Sequence, residues 1–98
     1  MKTIQLRRYV LADGTYDEFV AWFNDSLLPA RTSTGFAVEF AYGIRETNEF
    51  VWAVSVPGDA AAFGRIEEAY LASPERTAAF AGQPDRIAAK AIDLVEAV

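Results

Sequence analysis

The segment FAVEFAYGIRETNEFVWAVSV, residues 36–56, decides the architecture. From Phe36 to Arg45 it alternates large and small, with Phe36, Val38, Phe40, Tyr42 and Ile44 on one face of an extended chain and Ala37, Glu39, Ala41, Gly43 and Arg45 on the other. This is a strand with cover expected on both faces. Glu46-Thr47-Asn48 suits a short hairpin loop, and Phe50 to Val56 forms a second β-rich run closed by Pro57-Gly58. A β-hairpin therefore occupies the middle of the chain.

Working outward, Ile4 to Leu11 mixes alternation with β-branched and aromatic residues and ends at Ala12-Asp13-Gly14, so a strand leads the chain. Thr15 and Glu18 have the spacing of a capping box, and Tyr16, Phe19, Val20, Phe23 and Leu27 lay one apolar stripe along the helix that follows, flanked by Trp22. Pro29 is expected to kink or end that helix near Leu28, and Arg31 to Gly35 reads as a polar connector. Beyond the hairpin, Asp59 can cap a helix with the stripe Ala62, Phe63, Ile66, Ala69 and Tyr70. Ser73-Pro74-Glu75 restarts a helix that Gly82 closes. A linker of some helical character then leads to a last strand from Ala91 to Glu96.

The order β-α-β-β-α-β specifies an α+β, ferredoxin-like fold with an antiparallel sheet, usually in the strand order 4-1-3-2 with both helical layers on one face. With 98 residues, the chain is expected to be a single domain, residues 1–98, able to bury only roughly 60–65% of its unfolded surface. The uncovered sheet face and the small core both point to a homodimer formed through the sheet.

Composition narrows the chemistry. The chain has no cysteine and no histidine, which removes disulfides, thiolate metal sites, thiol nucleophiles, the commonest general base and the usual haem ligand. No metal or cofactor is expected. Nine basic against fourteen acidic residues give a net charge of −5, which disfavours nucleic acid as a partner. No apolar run approaches the about 18 residues of a membrane span, so no membrane partner is expected and the default location is the cytoplasm.

Leu6-Arg7-x-Tyr9-x-Leu11, Gly14, Trp22 with Leu27-Leu28-Pro29, Gly35-Phe36, Asn48-Glu49-Phe50-Val51-Trp52 and Ala69-Tyr70-x-x-Ser73-Pro74-Glu75, in that order, resemble the NIPSNAP family. The resemblance implies a dimeric α/β barrel, in which two ferredoxin-like sheets face each other. The wider superfamily includes cofactor-independent monooxygenases, polyketide cyclases, haem enzymes and proteins without known catalysis. The chain departs from the pattern at Ala53-Val54-Ser55, where many relatives carry arginine, and at Arg76, where tryptophan is common.

Three constellations are candidates for function. Arg7 and Tyr9 share a strand face, where a cation beside a phenol could bind a carboxylate or steady an enolate-like oxygen, or could be structural. Glu39 stands among small residues; in an apolar cavity it would be a general base, beside Arg7 or Arg45 an ion pair, and at the sheet edge a solvated acid. The aromatics Trp22, Phe23, Tyr42, Trp52, Phe63 and Tyr70 could line a pocket for a small hydrophobic ligand or be core. The expectation is a protein that binds such a ligand, with Arg7 and Tyr9, in a cleft between sheet and helices without catalysis. The alternative is a cofactor-independent monooxygenase, cyclase or isomerase acting on an aromatic or carbonyl-bearing compound, with Glu39, Tyr9 and Arg7 catalytic.

Overall fold

Four antiparallel strands form one sheet in the spatial order β2-β3-β1-β4 in the computed structural model of the chain, which describes residues 1–98. They are β1 (Lys2–Leu11), β2 (Ala37–Ile44), β3 (Glu49–Pro57) and β4 (Ile87–Val95). Helices α1 (Tyr16–Trp22) and α2 (Leu28–Thr32) follow β1, and α3 (Ala60–Leu71) and α4 (Pro74–Phe80) follow β3. The fold is α+β and ferredoxin-like, with the expected strand order.

Register decides which side chains meet the helices. Tyr9 lies opposite Phe50, Arg7 opposite Trp52, and Gln5 opposite Val54, so alternate residues of the two central strands share one face. On that face Phe50, Trp52, Val54, Val56, Tyr9 and Leu11 join Phe19, Phe23, Leu27, Phe63 and Tyr70 of the helical layer in one buried cluster. Phe23 meets Trp52 edge-on at 5.0 Å and Phe50 at 4.7 Å, and Phe19 meets Phe50 at 5.0 Å. Aromatic pairs of this kind add about 0.5–1.5 kcal/mol each beyond the area they bury.

The edge strand β2 departs from the alternation in its sequence. Val38 pairs with Val54, yet Phe40 pairs with Ala53, so Glu39 is the extra residue of a β-bulge. Phe36 and Val38 consequently belong with the core, whereas Phe40, Tyr42 and Ile44 turn to the opposite, helix-free face. The single large-residue row read from the sequence is thus split, and the expected cover on both faces of this strand is not provided within the chain: Tyr42 is 68% exposed. The same shift brings Gly43 onto the helix side, where a Cβ would collide with the Tyr16 hydroxyl. Glycine lets α1 approach the strand, and Arg45 stacks on the Tyr16 ring at 4.4 Å while pairing with Asp17 at 2.9 Å.

Pro29 does not end the first helical segment. Residues Phe23–Leu27 open into a π-helical turn and α2 continues through Thr32, the widened turn just before Pro29 accommodating its ring and missing N–H. Arg31, expected in a connector, is instead a buried helical residue. The expected capping box is absent because the Thr15 hydroxyl donates back to the Ala12 carbonyl at 2.7 Å. Asp59 and Ser73 do cap, accepting from the backbone N–H groups of Ala62 and Arg76. The segment after Pro84 holds no helix, since β4 begins at Ile87 and pairs along β1, with a second bulge between Val10 and Leu11.

Candidate functional site

Between the helix-facing side of the sheet and the helical layer lies a cleft of about 200 Å³. Its floor is Arg7 and Tyr9 of β1, Trp52 of β3 and Ile87 and Lys90 of β4; Trp22, Leu27, Arg31, Glu67, Tyr70, Leu71, Arg76 and Phe80 close over it from the helical layer. An adjoining hollow of about 270 Å³ shares Trp22, Phe80, Ile87 and Lys90 and extends toward Gln83 and Arg86. Four cations and one carboxylate line the cleft of a chain whose net charge is −5. Positive charge is therefore concentrated where apolar walls focus its field.

Arg31 is the most deeply placed of these cations, only 3% exposed. Its Nη1 donates to Glu67 at 2.6 Å, and its guanidinium lies 4.0 Å from the Tyr70 ring centre and 4.6 Å from that of Phe36. Ion pairing and cation–π contact together offset the desolvation of a charge this deep. Arg7 has no carboxylate within pairing distance: its Nε donates to the Tyr9 hydroxyl at 2.7 Å, its Nη1 to Gln5 at 2.6 Å, and its Cζ stands 5.7 Å from the Trp52 ring. Because Tyr9 accepts that bond, its own hydroxyl hydrogen remains available.

Several buried donors here have no acceptor. Trp52 Nε1, Tyr70 Oη and Arg31 Nε are inaccessible and make no hydrogen bond. Each such group forfeits about 1–3 kcal/mol of solvation without return. Burial raises the pKa of Tyr70, opposed by the positive charges of Arg31, Arg76 and Arg7, so the phenol stays a neutral donor. Trp22, by contrast, donates its indole N–H to the Ala79 carbonyl at 2.9 Å and is satisfied.

The structure brings together Arg7, Tyr9, Trp22, Trp52 and Tyr70 among the residues singled out in the sequence. Phe23 and Phe63 lie in the core and do not line the cleft, and Tyr42 lies on the other face of the sheet. Glu39 does not meet Arg7 or Tyr9 either. It sits on the helix-free face, accepting from Ser55 Oγ at 2.6 Å and Lys2 Nζ at 2.8 Å. Those bonds, led by Lys2, lower its pKa, whereas a general base would need it raised. Arg31, Glu67 and Arg76 went unremarked as site residues. Glu67 falls on the stripe Phe63, Ile66, Tyr70 at helical spacing, and Arg31 follows Leu27 by four residues, so periodicity marks both as inward-facing. No group of three or more acidic residues is placed to hold a metal ion, and no helix is long and apolar enough to cross a membrane.

No family model and no curated protein matches the chain. Solved structures do. A NIPSNAP domain protein from Burkholderia xenovorans, described as uncharacterized, superposes with a TM-score of 0.84 at 16% identity over 100% of this chain and 95% of its own. The fold is that of NIPSNAP-domain proteins. A NIPSNAP family protein of unknown function from Agrobacterium tumefaciens gives a TM-score of 0.83 at 14% identity, covering 96% of this chain and 86% of that one. The resemblance read from the sequence motifs and this NIPSNAP-type fold agree. A protein from Bacteroides thetaiotaomicron described as a putative antibiotic biosynthesis monooxygenase is more distant, with a TM-score of 0.66 at 16% identity over 99% of this chain and 88% of its own.

Proposed function

We propose that the chain acts as a small-molecule-binding homodimer, taking one small, largely hydrophobic ligand into the cleft of each protomer without turning it over. The observation that carries this reading is the cleft, an apolar hollow with orphaned donors in its wall. Cavities with apolar walls and a few convergent polar groups are the usual form of a ligand site. Two copies would associate through the helix-free face, where Val10, Tyr42, Ile44 and Val95 are each at least 40% exposed. An apolar sheet face of this kind is an association surface in a small protein. Against turnover stands the proton inventory: the one carboxylate of the cleft, Glu67, is engaged by Arg31, and Glu39 lies across the sheet. A monooxygenase, cyclase or isomerase in which Arg7 and Tyr9 polarise an oxygen draws support from the similarity to the Bacteroides protein, and it would need Glu67 in place of Glu39 as proton acceptor.

A thermal-shift screen with small aromatic compounds tests the binding reading. A ligand at 100 times its Kd stabilises by about 2.7 kcal/mol, and its NMR footprint should fall on Trp22, Trp52 and Tyr70. A footprint confined to the helix-free face would refute it. Sedimentation at micromolar concentration should give twice the monomer mass; a folded monomer would refute the assembly.

A further inference from the structure

Charge and hydrogen-bond demand in the cleft point to more than an apolar ligand. Trp52 Nε1 and Tyr70 Oη are donors within side chains that are 0% and 2% exposed, and no protein atom accepts from them. Trp52 lies directly across the strand pair from Arg7, whose guanidinium meets no carboxylate and covers the Trp52 ring at 5.7 Å. The Arg31 guanidinium lies 4.0 Å from the centre of the Tyr70 ring, and Arg7 and Arg76 line the same cleft. Residues with orphaned donors and surplus positive charge thus line one cleft of about 200 Å³, and the partner that would answer both is an acceptor that carries negative charge. Trp22 and Phe80, edge to face at 5.1 Å, form an apolar wall of the same cleft, suited to a flat ring.

We propose that the cleft selects small aromatic monocarboxylates, with the carboxylate accepting from Arg7, Trp52 Nε1 and Tyr70 Oη and the ring resting against Trp22 and Phe80. This assignment rests on the ligand-binding reading of the cleft and specifies its chemistry. A site of buried donors rejects a ligand that cannot satisfy them far more strongly than apolar walls reject a misfit, so the charged end and not the ring sets specificity. The acidic protein surface is no barrier, because the potential that a ligand meets is that of the cleft.

Benzoate and its neutral isostere benzamide separate the possibilities. Titrated into the intact protein at low salt, benzoate should bind at least about tenfold more tightly than benzamide. It should also move the indole N–H resonance of Trp52 while leaving that of Trp22, bonded to the Ala79 carbonyl, nearly in place. Arg7→Gln and Tyr70→Phe should each remove most of the preference for benzoate over benzamide. Arg8→Gln, the same loss of charge on the opposite face of the same strand, should preserve it. Equal affinity for the two probes, with Trp52 perturbed by both, would overturn the anion assignment and leave the cleft as an apolar site. A benzoate preference that survives both Arg7→Gln and Tyr70→Phe would place the anion elsewhere and also overturn it. If neither probe perturbs Trp52 at millimolar concentration, this proposal and the ligand-binding reading fall together.

Discussion

The two faces of the sheet are made from alternate residues of the same strands, yet they treat polar groups in opposite ways. On the helix-free face, Lys2 and Arg8 each find a carboxylate, Glu39 and Glu49, and Ser55 closes on Glu39. On the helix-covered face, Arg7 lacks a carboxylate and Trp52 and Tyr70 lack acceptors, although burial makes unmet demand costlier there. Apolar groups of the two central strands show the reverse: Phe50, Trp52, Val54 and Val56 are packed beneath the helices, while Val10 on the opposite face, with Tyr42 and Ile44 of the edge strand, is left open to solvent. Each face is thus incomplete in the one currency that the other has settled, polar on the covered side and apolar on the open side.

Substitutions break this contrast in graded steps. Phe19, 1% exposed and in contact with the rings of Tyr9, Trp22, Phe23 and Phe50, should give the largest effect. Phe19→Ala is expected to lower unfolding free energy by about 3–5 kcal/mol in urea titration. On the other face, Tyr42→Glu should leave the protomer folded by circular dichroism while weakening the proposed dimer by about 2 kcal/mol, roughly thirtyfold in Kd by sedimentation. Gly43→Ala, which drives a methyl into the Tyr16 hydroxyl, should cost about 1–2 kcal/mol. The cost should shrink in a Tyr16→Ala background, a coupling that a double-mutant cycle reads directly. Asp59→Ala removes an N-cap and should cost about 1 kcal/mol by thermal unfolding.

The smallest effects appear in the pH profile, one from each face and of opposite sign. The pKa of Tyr70 is raised in the fold, so its contribution is complete below the ordinary tyrosine value of 10.0 and is lost as pH climbs beyond it. Tyr70→Phe should flatten the alkaline limb of a stability curve. The pKa of Glu39 is lowered by Lys2 and Ser55, so its contribution is present above the ordinary value of 4.5 and is lost as pH falls through the lower, folded value. Glu39→Gln should flatten the acid limb only. If both variants altered the same limb, the assignment of these residues to different electrostatic surroundings would be wrong.

The order of elements could be read from sequence because turns and caps are local: Gly14, Asp59, Ser73-Pro74 and the alternation of Phe50 to Val56 each act within a few residues. The bulge at Glu39 could not, since a strand with one extra residue has the composition of a strand without it, and only pairing with β3 reveals the change of phase. That hidden residue parted Phe40, Tyr42 and Ile44 from Phe36 and Val38, while Glu39, next to core-facing Val38, stands across the sheet from Arg7 and Tyr9. The continuation of helix past Pro29 was obscured in the same way, because the π-helical turn that accommodates the ring is a geometric choice of the backbone. Arg31 was lost with it. Glu67 was legible: its charge favours solvent, but its spacing sets it beside Phe63 and Tyr70, where Arg31 pairs with it.

The bulge also fixes how this edge strand responds to a change in length. Deletion of Glu39 would place Phe40 directly after Val38, so that Val38 could still pair with Val54 and Phe40 with Ala53, with Tyr42 and Ile44 kept on the helix-free face and Gly43 beneath Tyr16. Frame-preserving loss of this one codon would then straighten the strand and remove the Glu39 bonds to Lys2 and Ser55 while leaving its interior and exterior unexchanged, a smaller disturbance than its change of length suggests.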